Sequence, residues 1–284
     1  MTPPAPARVF TVAAVQMRST SDRRRNLDAA EGFAAEAAGR GADVIAFPEN
    51  VAEVRAEGSV GPPAEAPDGP TARRFAMMAV RHHAFVLAGT IALRNTRGRK
   101  RLNASILFAP DGAVAAVYRK MHLFDVAIPG RAEFRESRIV AAGDTPVVAS
   151  TTLGTFGLSI CYDLRFPELY RHLAIGGAQV LFVPSAFTAY TGRSHWTALL
   201  RARAIENLAY VVAPAQWGRH HTGRSSYGHT SVIDPWGRVV AERARGEGVV
   251  MARIDLTRVA RLRRELPALL HIRRELLGRR PSSA

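Results

Sequence analysis

Short apolar runs of strand length alternate with helix-patterned segments along nearly the whole chain, and that alternation restricts the fold to layered α/β architectures. Residues 11–16 read as a strand. Residues 26–38 put Leu27, Ala30, Phe33, Ala34 and Ala37 on one helical face, and the pattern stops at Gly39 and Gly41. Residues 42–47 form a strand pattern ended by Pro48-Glu49, and a helix pattern over 71–82 leads into a strand at 85–93. Strands at 104–108 and 113–118 flank the turn residues Pro110, Asp111 and Gly112. After a long loop come a strand at 157–161, a helix at 167–175 opened by Pro167, a strand at 180–183, a helix at 194–207 and a strand at 210–215. Hairpin signals follow around Asp234-Pro235-Trp236-Gly237 and through 249–254, ahead of a basic C-terminal helix. The expected fold is layered α/β with a mixed sheet. No linker or repeat divides its 284 residues, so we expect one domain over 8–265, preceded by a short tail (1–7) and followed by an extension (266–284).

The formal charge of +15 raises the question of nucleic acid or membrane partners. The arginines are scattered through nearly every segment, however, and no zinc, recognition-helix or RNA-binding signature accompanies them, so neither partner is expected. A small anionic substrate accounts for the charge as well. The apolar run 9–15 is too short to span a bilayer and lacks a cleavage-site pattern. One cysteine precludes an internal disulfide, and a cytoplasmic location is expected.

That single cysteine, Cys161, sits where an apolar strand pattern stops and a helix pattern begins, a position that lifts a side chain above a sheet edge and aims unpaired N–H groups at it. Only two lysines, Lys100 and Lys120, stand among 39 basic residues. Lys100 lies in the loop-like Arg97-Gly-Arg-Lys-Arg101, whereas Lys120 follows a strand pattern, where a compact ammonium does what a guanidinium does not. Glu49 likewise follows a strand. Three such residues at strand ends supply a nucleophile, a carboxylate to take its proton and an ammonium for an oxyanion, a set suited to acyl transfer from an amide.

Three blocks, Phe47-Pro48-Glu49, Tyr118-Arg-Lys-Met-His-Leu-Phe124 and Ile160-Cys-Tyr-Asp-Leu-Arg-Phe-Pro-Glu168, resemble in order and spacing the signatures of the nitrilase, or carbon–nitrogen hydrolase, superfamily. The resemblance implies a four-layer αββα sandwich with mixed β-sheets that pairs into a homodimer through its helical faces. It also implies a Glu49–Lys120–Cys161 triad, a second active-site glutamate at Glu136, and chemistry that calls for no metal or organic cofactor. Cys161-Tyr162-Asp163 is similar to the amidase branches, where true nitrilases carry Cys-Trp-Glu. The stretches Pro184 to Thr188, Thr191 to Trp196 and Ser226 to His229 resemble the Nit subfamily. Of its two branches, one acting on 2-oxoglutaramate and the other on deaminated glutathione, Ala215-Gln-Trp-Gly-Arg-His-His221 with Arg224-Ser-Ser-Tyr-Gly-His229 is more like the second. Hydrolysis of a 2-oxo acid ω-amide through a thioester is the expected activity. An N-carbamoyl hydrolase is a further enzymatic alternative, and a nucleic-acid-binding or ligand-sensing protein a non-enzymatic one.

For the substrate, Arg165 is the first candidate to grip an α-carboxylate, with a salt bridge to Asp163 or Glu168 as the alternative. Phe187 and Thr191 are candidate pocket walls, Phe187 having simple core packing as its alternative, and the Tyr162 backbone N–H is a candidate oxyanion donor. His220, His221 and His229 lack metal-ligand spacing. Arg203 and Glu206 fit a helix pair. Residues 258–274 read as a solvated or dimer-contacting arginine-rich helix. Ala127 and Arg193 depart from the family pattern beside the expected substrate entrance, both in the positive direction.

Overall fold

The structure, a computed structural model, describes residues 9–55, 63–127, 133–221, 224–273 and 275. The expected tail 1–7 and, within the expected extension, residues 274 and 276–284 lie outside them. The first half contains β1 (Val9–Gln16), α1 (Arg23–Gly39), β2 (Val44–Ala46), α2 (Pro70–His82), β3 (Phe85–Leu87), β4 (Ile91–Leu93), β5 (Leu102–Phe108) and β6 (Val114–Arg119). Then follow β7 (Asp125–Ala127), β8 (Glu133–Arg135), β9 (Val147–Thr151), β10 (Gly154–Leu158), α3 (Pro167–Ile175), β11 (Val180–Phe182) and α4 (Ala189–Asn207). The last elements are β12 (Tyr210–Ala213), β13 (Trp217–His221), β14 (Arg224–Tyr227), β15 (Thr230–Ile233), β16 (Val239–Arg243), β17 (Gly248–Asp255) and α5 (Leu256–Glu265).

Two large mixed sheets form, in keeping with the sandwich that the resemblance implies. The first runs β17-β1-β2-β3-β5, with β4 and β6 also paired to β5; the second runs β16-β15-β12-β11-β10-β9. Strand alternation decides what each face of the first sheet meets. Val12, Ala14, Val44, Ala46, Leu87 and Leu107 pack in one core with Phe156, Leu158, Phe182 and Val212 of the second sheet. Their neighbours Ala13, Val15, Ile45, Val86 and Ile106 face the other way, onto Ala30 and Ala34 of α1 and Phe75 and Met78 of α2. Leu169, Tyr170 and Leu173 of α3 and Trp196, Leu200 and Ala204 of α4 cover the second sheet. The result is the layering α, β, β, α.

Three local expectations need correction. The strand expected at 85–93 breaks into β3 and β4, because the antiparallel register against β5 takes one extra residue between Leu87↔Leu107 and Ile91↔Ala104. Gly89 sits in that break at φ 61, and a Cβ there would collide with the carbonyl oxygen of Pro48 and lie 2.7 Å from that of Phe47. The segment carrying Glu49 thus crosses directly over Gly89. The strand expected at 157–161 ends at Leu158, and Cys161 instead opens a 3-10 turn, Cys161–Arg165. α4 begins at Ala189, ahead of the expected 194, so His195-Trp196 lies inside the helix, with Trp196 fully buried and donating Nε1–H to the His229 carbonyl at 2.8 Å.

The arginine-rich segment, expected to be solvated or to contact a dimer partner, is partly structural. Arg258 pairs with Asp234 at 2.8 Å. Arg263 donates to the carbonyls of Ala178, Asn207 and Leu208, closing the C-terminal end of α4, and burial pulls its guanidinium down to about 10. The hairpin β13–β14 falls in a segment where no strand was expected.

Replacing Gly89 by Ala forces a side chain into a left-handed, sterically occupied position and should cost about 2 kcal/mol of stability while displacing Glu49. Urea unfolding at an unchanged midpoint with unchanged amide turnover would contradict this account.

Candidate active site

Glu49, Lys120, Glu136 and Cys161 come together from four separate segments. Glu49 follows β2, Lys120 follows β6, Glu136 opens the 3-10 turn Glu136–Arg138 after β8, and Cys161 follows β10. Lys120 Nζ donates to Glu49 Oε1 and Glu136 Oε2, each at 2.8 Å. Glu49 and Lys120 are 3% and 2% exposed, so neither charge is held by solvent. Asn103 Nδ2 donates to both glutamates at 3.1 Å, and the Ala186 N–H donates to Glu49 Oε2 at 2.9 Å. The Cys161 thiol sits in the field of the Glu49 carboxylate. Glu136 is further tied by the Phe124 N–H at 2.8 Å.

Cys161 has φ 48, a conformation that costs a non-glycine residue energy and persists only where the surroundings enforce it. They do so on every side. Its own N–H donates to Pro184 O at 3.0 Å. Asp163, fully buried, accepts from Ile160 N–H at 2.8 Å, the Tyr118 hydroxyl at 2.8 Å, His122 N–H at 3.0 Å and His122 Nδ1 at 2.7 Å. One carboxylate therefore ties the Cys161 turn to the segment that carries Lys120. Arg203 Nε and Nη2 hold the Leu164 carbonyl at 3.1 and 2.8 Å, while Nη1 pairs with Glu206 at 3.0 Å. The expected helix pair exists, and its arginine also anchors the turn.

The sequence matches the carbon–nitrogen hydrolase family over residues 11–264. The chain belongs to that family. It is 43% identical over 265 residues to the deaminated glutathione amidase of Synechocystis sp., covering 92% of this chain and 97% of the relative. The human deaminated glutathione amidase is 42% identical, with 94% and 83% covered. Among solved structures, the nitrilase and fragile histidine triad fusion protein NitFhit of Caenorhabditis elegans superposes with TM-score 0.87 at 36% identity, covering 99% of this chain and 69% of that one. Nit3 of Saccharomyces cerevisiae, a member of branch 10 of the nitrilase superfamily, gives 0.83 at 30% identity, with 95% and 98% covered.

This carbon–nitrogen hydrolase acts on amide C–N bonds, and the charges around Cys161 are arranged for it. Burial works to raise the Glu49 carboxyl, but the Lys120 ammonium, the hydrogen bonds from Lys120 and Ala186, and the Cys161 thiol carry it below its ordinary value. Burial likewise opposes the Lys120 charge, and the two glutamates outweigh it, holding the ammonium well above its ordinary range. Burial pushes the Cys161 thiol well above 9.0, and the Glu49 charge pushes it further. The resting site holds a carboxylate, an ammonium and a neutral thiol.

The cavity above Cys161 is lined by Phe124, Phe134, Tyr162, Phe187, Thr188 and Thr191, and by five arginines, Arg55, Arg101, Arg135, Arg165 and Arg224. All the residues expected to bind substrate border it. The Arg165 guanidinium lies over the Phe187 ring at 5.2 Å and the Tyr162 ring at 5.9 Å and meets His195 Nδ1 at 3.2 Å. Of its two expected alternative partners, Asp163 and Glu168, the first spends its oxygens on Tyr118, His122 and Ile160 as described above. Phe187 both lines the cavity and packs on Trp196, ring centroids 5.1 Å apart. Thr191 and Thr188 share a hydroxyl bond at 2.7 Å. Ala127 and Arg193 are both exposed.

Sequence reasoning missed Asn103, the Ala186 N–H and the Asp163 network. His220 bonds Ser19 O and Ser226 Oγ, each at 2.8 Å, and His229 meets Glu242 at 2.6 Å; the side chain of His221 lies outside what is described. Among the described residues no three metal-type ligands cluster, and no helix is long and apolar enough to cross a membrane.

Because the Glu49 charge raises the thiol, Glu49→Gln should shift Cys161 toward thiolate and speed its alkylation by iodoacetamide at pH 8, even as amide turnover collapses. Slower alkylation in that variant would contradict the charge arrangement.

Proposed function

We propose that this chain cleaves deaminated glutathione to 2-oxoglutarate and Cys-Gly through a thioester on Cys161. The reaction reading is carried by the buried Glu49 carboxylate that Lys120 holds at 2.8 Å, with the Cys161 thiol in its field. The substrate reading rests on the names of the relatives, one of them 43% identical and covered over 97% of its length, and on the arginine-rich cavity.

The steps balance. The thiol proton passes to Glu49 as sulfur bonds to the amide carbon, and the carbonyl electrons move to oxygen, where Lys120 and the Tyr162 N–H stabilise them. The oxyanion collapses, the C–N bond breaks and Glu49 returns its proton to the departing amine. Glu49 then takes a proton from water, hydroxide adds to the thioester, and the C–S bond breaks with return of that proton to sulfur. Glu136 holds the Lys120 ammonium on its side of the cavity. Arg165, beside Phe187 and Thr191, grips the 2-oxo acid carboxylate.

We also propose that the chain works as a homodimer through the α3–α4 layer, where Ile205 of α4 (48% exposed) lies against Gly237, whose chain neighbour Trp236 (52%) is exposed too. The basic surface needs no nucleic acid partner in this reading, which suits a cytoplasmic enzyme.

Side-by-side kcat/KM on deaminated glutathione, 2-oxoglutaramate and an N-carbamoyl amino acid tests the substrate. Preference for the first is expected, and preference for either of the others overturns it. Cys161→Ser should abolish turnover, and Lys120→Met should lower kcat by about 10²–10³ through loss of an oxyanion partner. Unchanged turnover in the serine variant would remove Cys161 from the mechanism.

A further inference from the structure

The cavity carries arginines on both of its walls, and the function proposed above uses only Arg165. Arg165 belongs to the wall built by the second sheet, in the turn after β10. Arg101 belongs to the wall built by the first sheet. It stands immediately before β5, two residues from Asn103, so strand alternation sets both side chains on the same face. Asn103 reaches Glu49 and Glu136 there, and Arg101 borders the same cavity.

Arg101 is rigidly based. Its N–H donates to Ile139 O at 3.1 Å and its carbonyl accepts from Ala141 N–H at 2.8 Å, which stitches the start of β5 to the segment after Glu136. Its guanidinium is half-buried and feels the charges of Glu53, Arg55 and Glu136. Glu53 is itself buried and paired with Arg55. A guanidinium has five N–H donors, more than one carboxylate takes, so the company of Glu53 is compatible with an anionic ligand. Among the described residues the only acidic groups lining the cavity are Glu49 and Glu136, and both are bound to Lys120.

A substrate whose carbonyl carbon sits at Cys161 extends in two directions, acyl half one way and amine half the other. With Arg165 taking the acyl carboxylate, we infer that Arg101, with Arg55 beside it, receives a carboxylate on the departing amine, so that the site selects N-substituted amides acidic at both ends. This rests on the function proposed above. A primary amide ends at its nitrogen and presents nothing to Arg101, whereas an amine half ending in a carboxylate gives it a further charged partner at the cavity wall.

The test uses three amides with one acyl half: deaminated glutathione, the same compound with its terminal carboxylate converted to a carboxamide, and 2-oxoglutaramate. The parent should favour the free acid over the carboxamide by about ten-fold in kcat/KM, chiefly through KM, as expected when a charged pair loses one partner. Arg101→Gln should bring that ratio close to one and lower kcat/KM for deaminated glutathione about ten-fold more than for 2-oxoglutaramate, and Arg101→Lys should restore part of the preference. If the parent fails to cleave deaminated glutathione, the proposed function falls and this inference with it. If the parent cleaves it but treats acid and carboxamide alike, or Arg101→Gln lowers all three amides equally, the Arg101 assignment alone falls. Should the glutamine variant not fold, the parent ratio and the lysine variant decide.

Discussion

The pair between Lys120 and Glu49 is the constraint to which the rest of the site is fitted. Two charges this deeply buried lose most of their hydration, and their attraction compensates only where the remaining donors and acceptors are also met. Here they are met from both sheets. Asn103 and Lys120 come from the first sheet, while the Ala186 N–H and the Cys161 thiol come from the second, and all four converge on the Glu49 carboxylate. The contacts that bridge the two sheets at this point are therefore the contacts that set the carboxylate beside the thiol. Removing one partner of such a pair leaves the other charge buried alone, which typically costs about 3–5 kcal/mol.

The strain at Cys161 follows from the same demand. β10 ends at Leu158, and its chain must turn at once for the thiol to rise toward Glu49 rather than continue along the strand face. Left-handed backbone at a cysteine costs energy, and Asp163, Pro184 O and Arg203 each remove an escape route. Asp163 matters most because it binds both the turn and the Tyr118–His122 segment, so Lys120 and Cys161 do not shift independently.

Much of this was legible in the sequence where a residue's type conflicted with its address. A lysine in an arginine-rich chain, a glutamate after an apolar strand and a lone cysteine at a strand end each stood out. Asn103 did not, since it lies just ahead of the expected strand 104–108, where a polar residue looks like ordinary loop, and the Ala186 N–H is a backbone group that no side-chain pattern marks. The early start of α4 was hidden by Thr191 and Gly192, poor helix formers. Gly192 is there because the Tyr227 ring occupies the space a side chain would need. Likewise the break at Gly89 answers to Pro48, a neighbour distant in sequence, and local periodicity carries no trace of it.

The four ionisable groups also explain why two glutamates accompany one lysine. At rest the set holds two carboxylates, one ammonium and a neutral thiol, a net charge of minus one. In the proposed reaction the proton moves from Cys161 to Glu49 while a negative charge appears on the substrate oxygen, so the total stays at minus one throughout the attack. What changes is position: charge leaves Glu49 and arrives at the oxyanion, with the Lys120 ammonium next to both. Glu136 keeps that ammonium in place as Glu49 is neutralised, because its contacts with Lys120, Asn103 and the Phe124 N–H do not depend on the protonation of Glu49. A site prearranged in this way has little to reorganise as the barrier is crossed, and the stabilisation it gives falls on the charge that develops rather than on the bound amide.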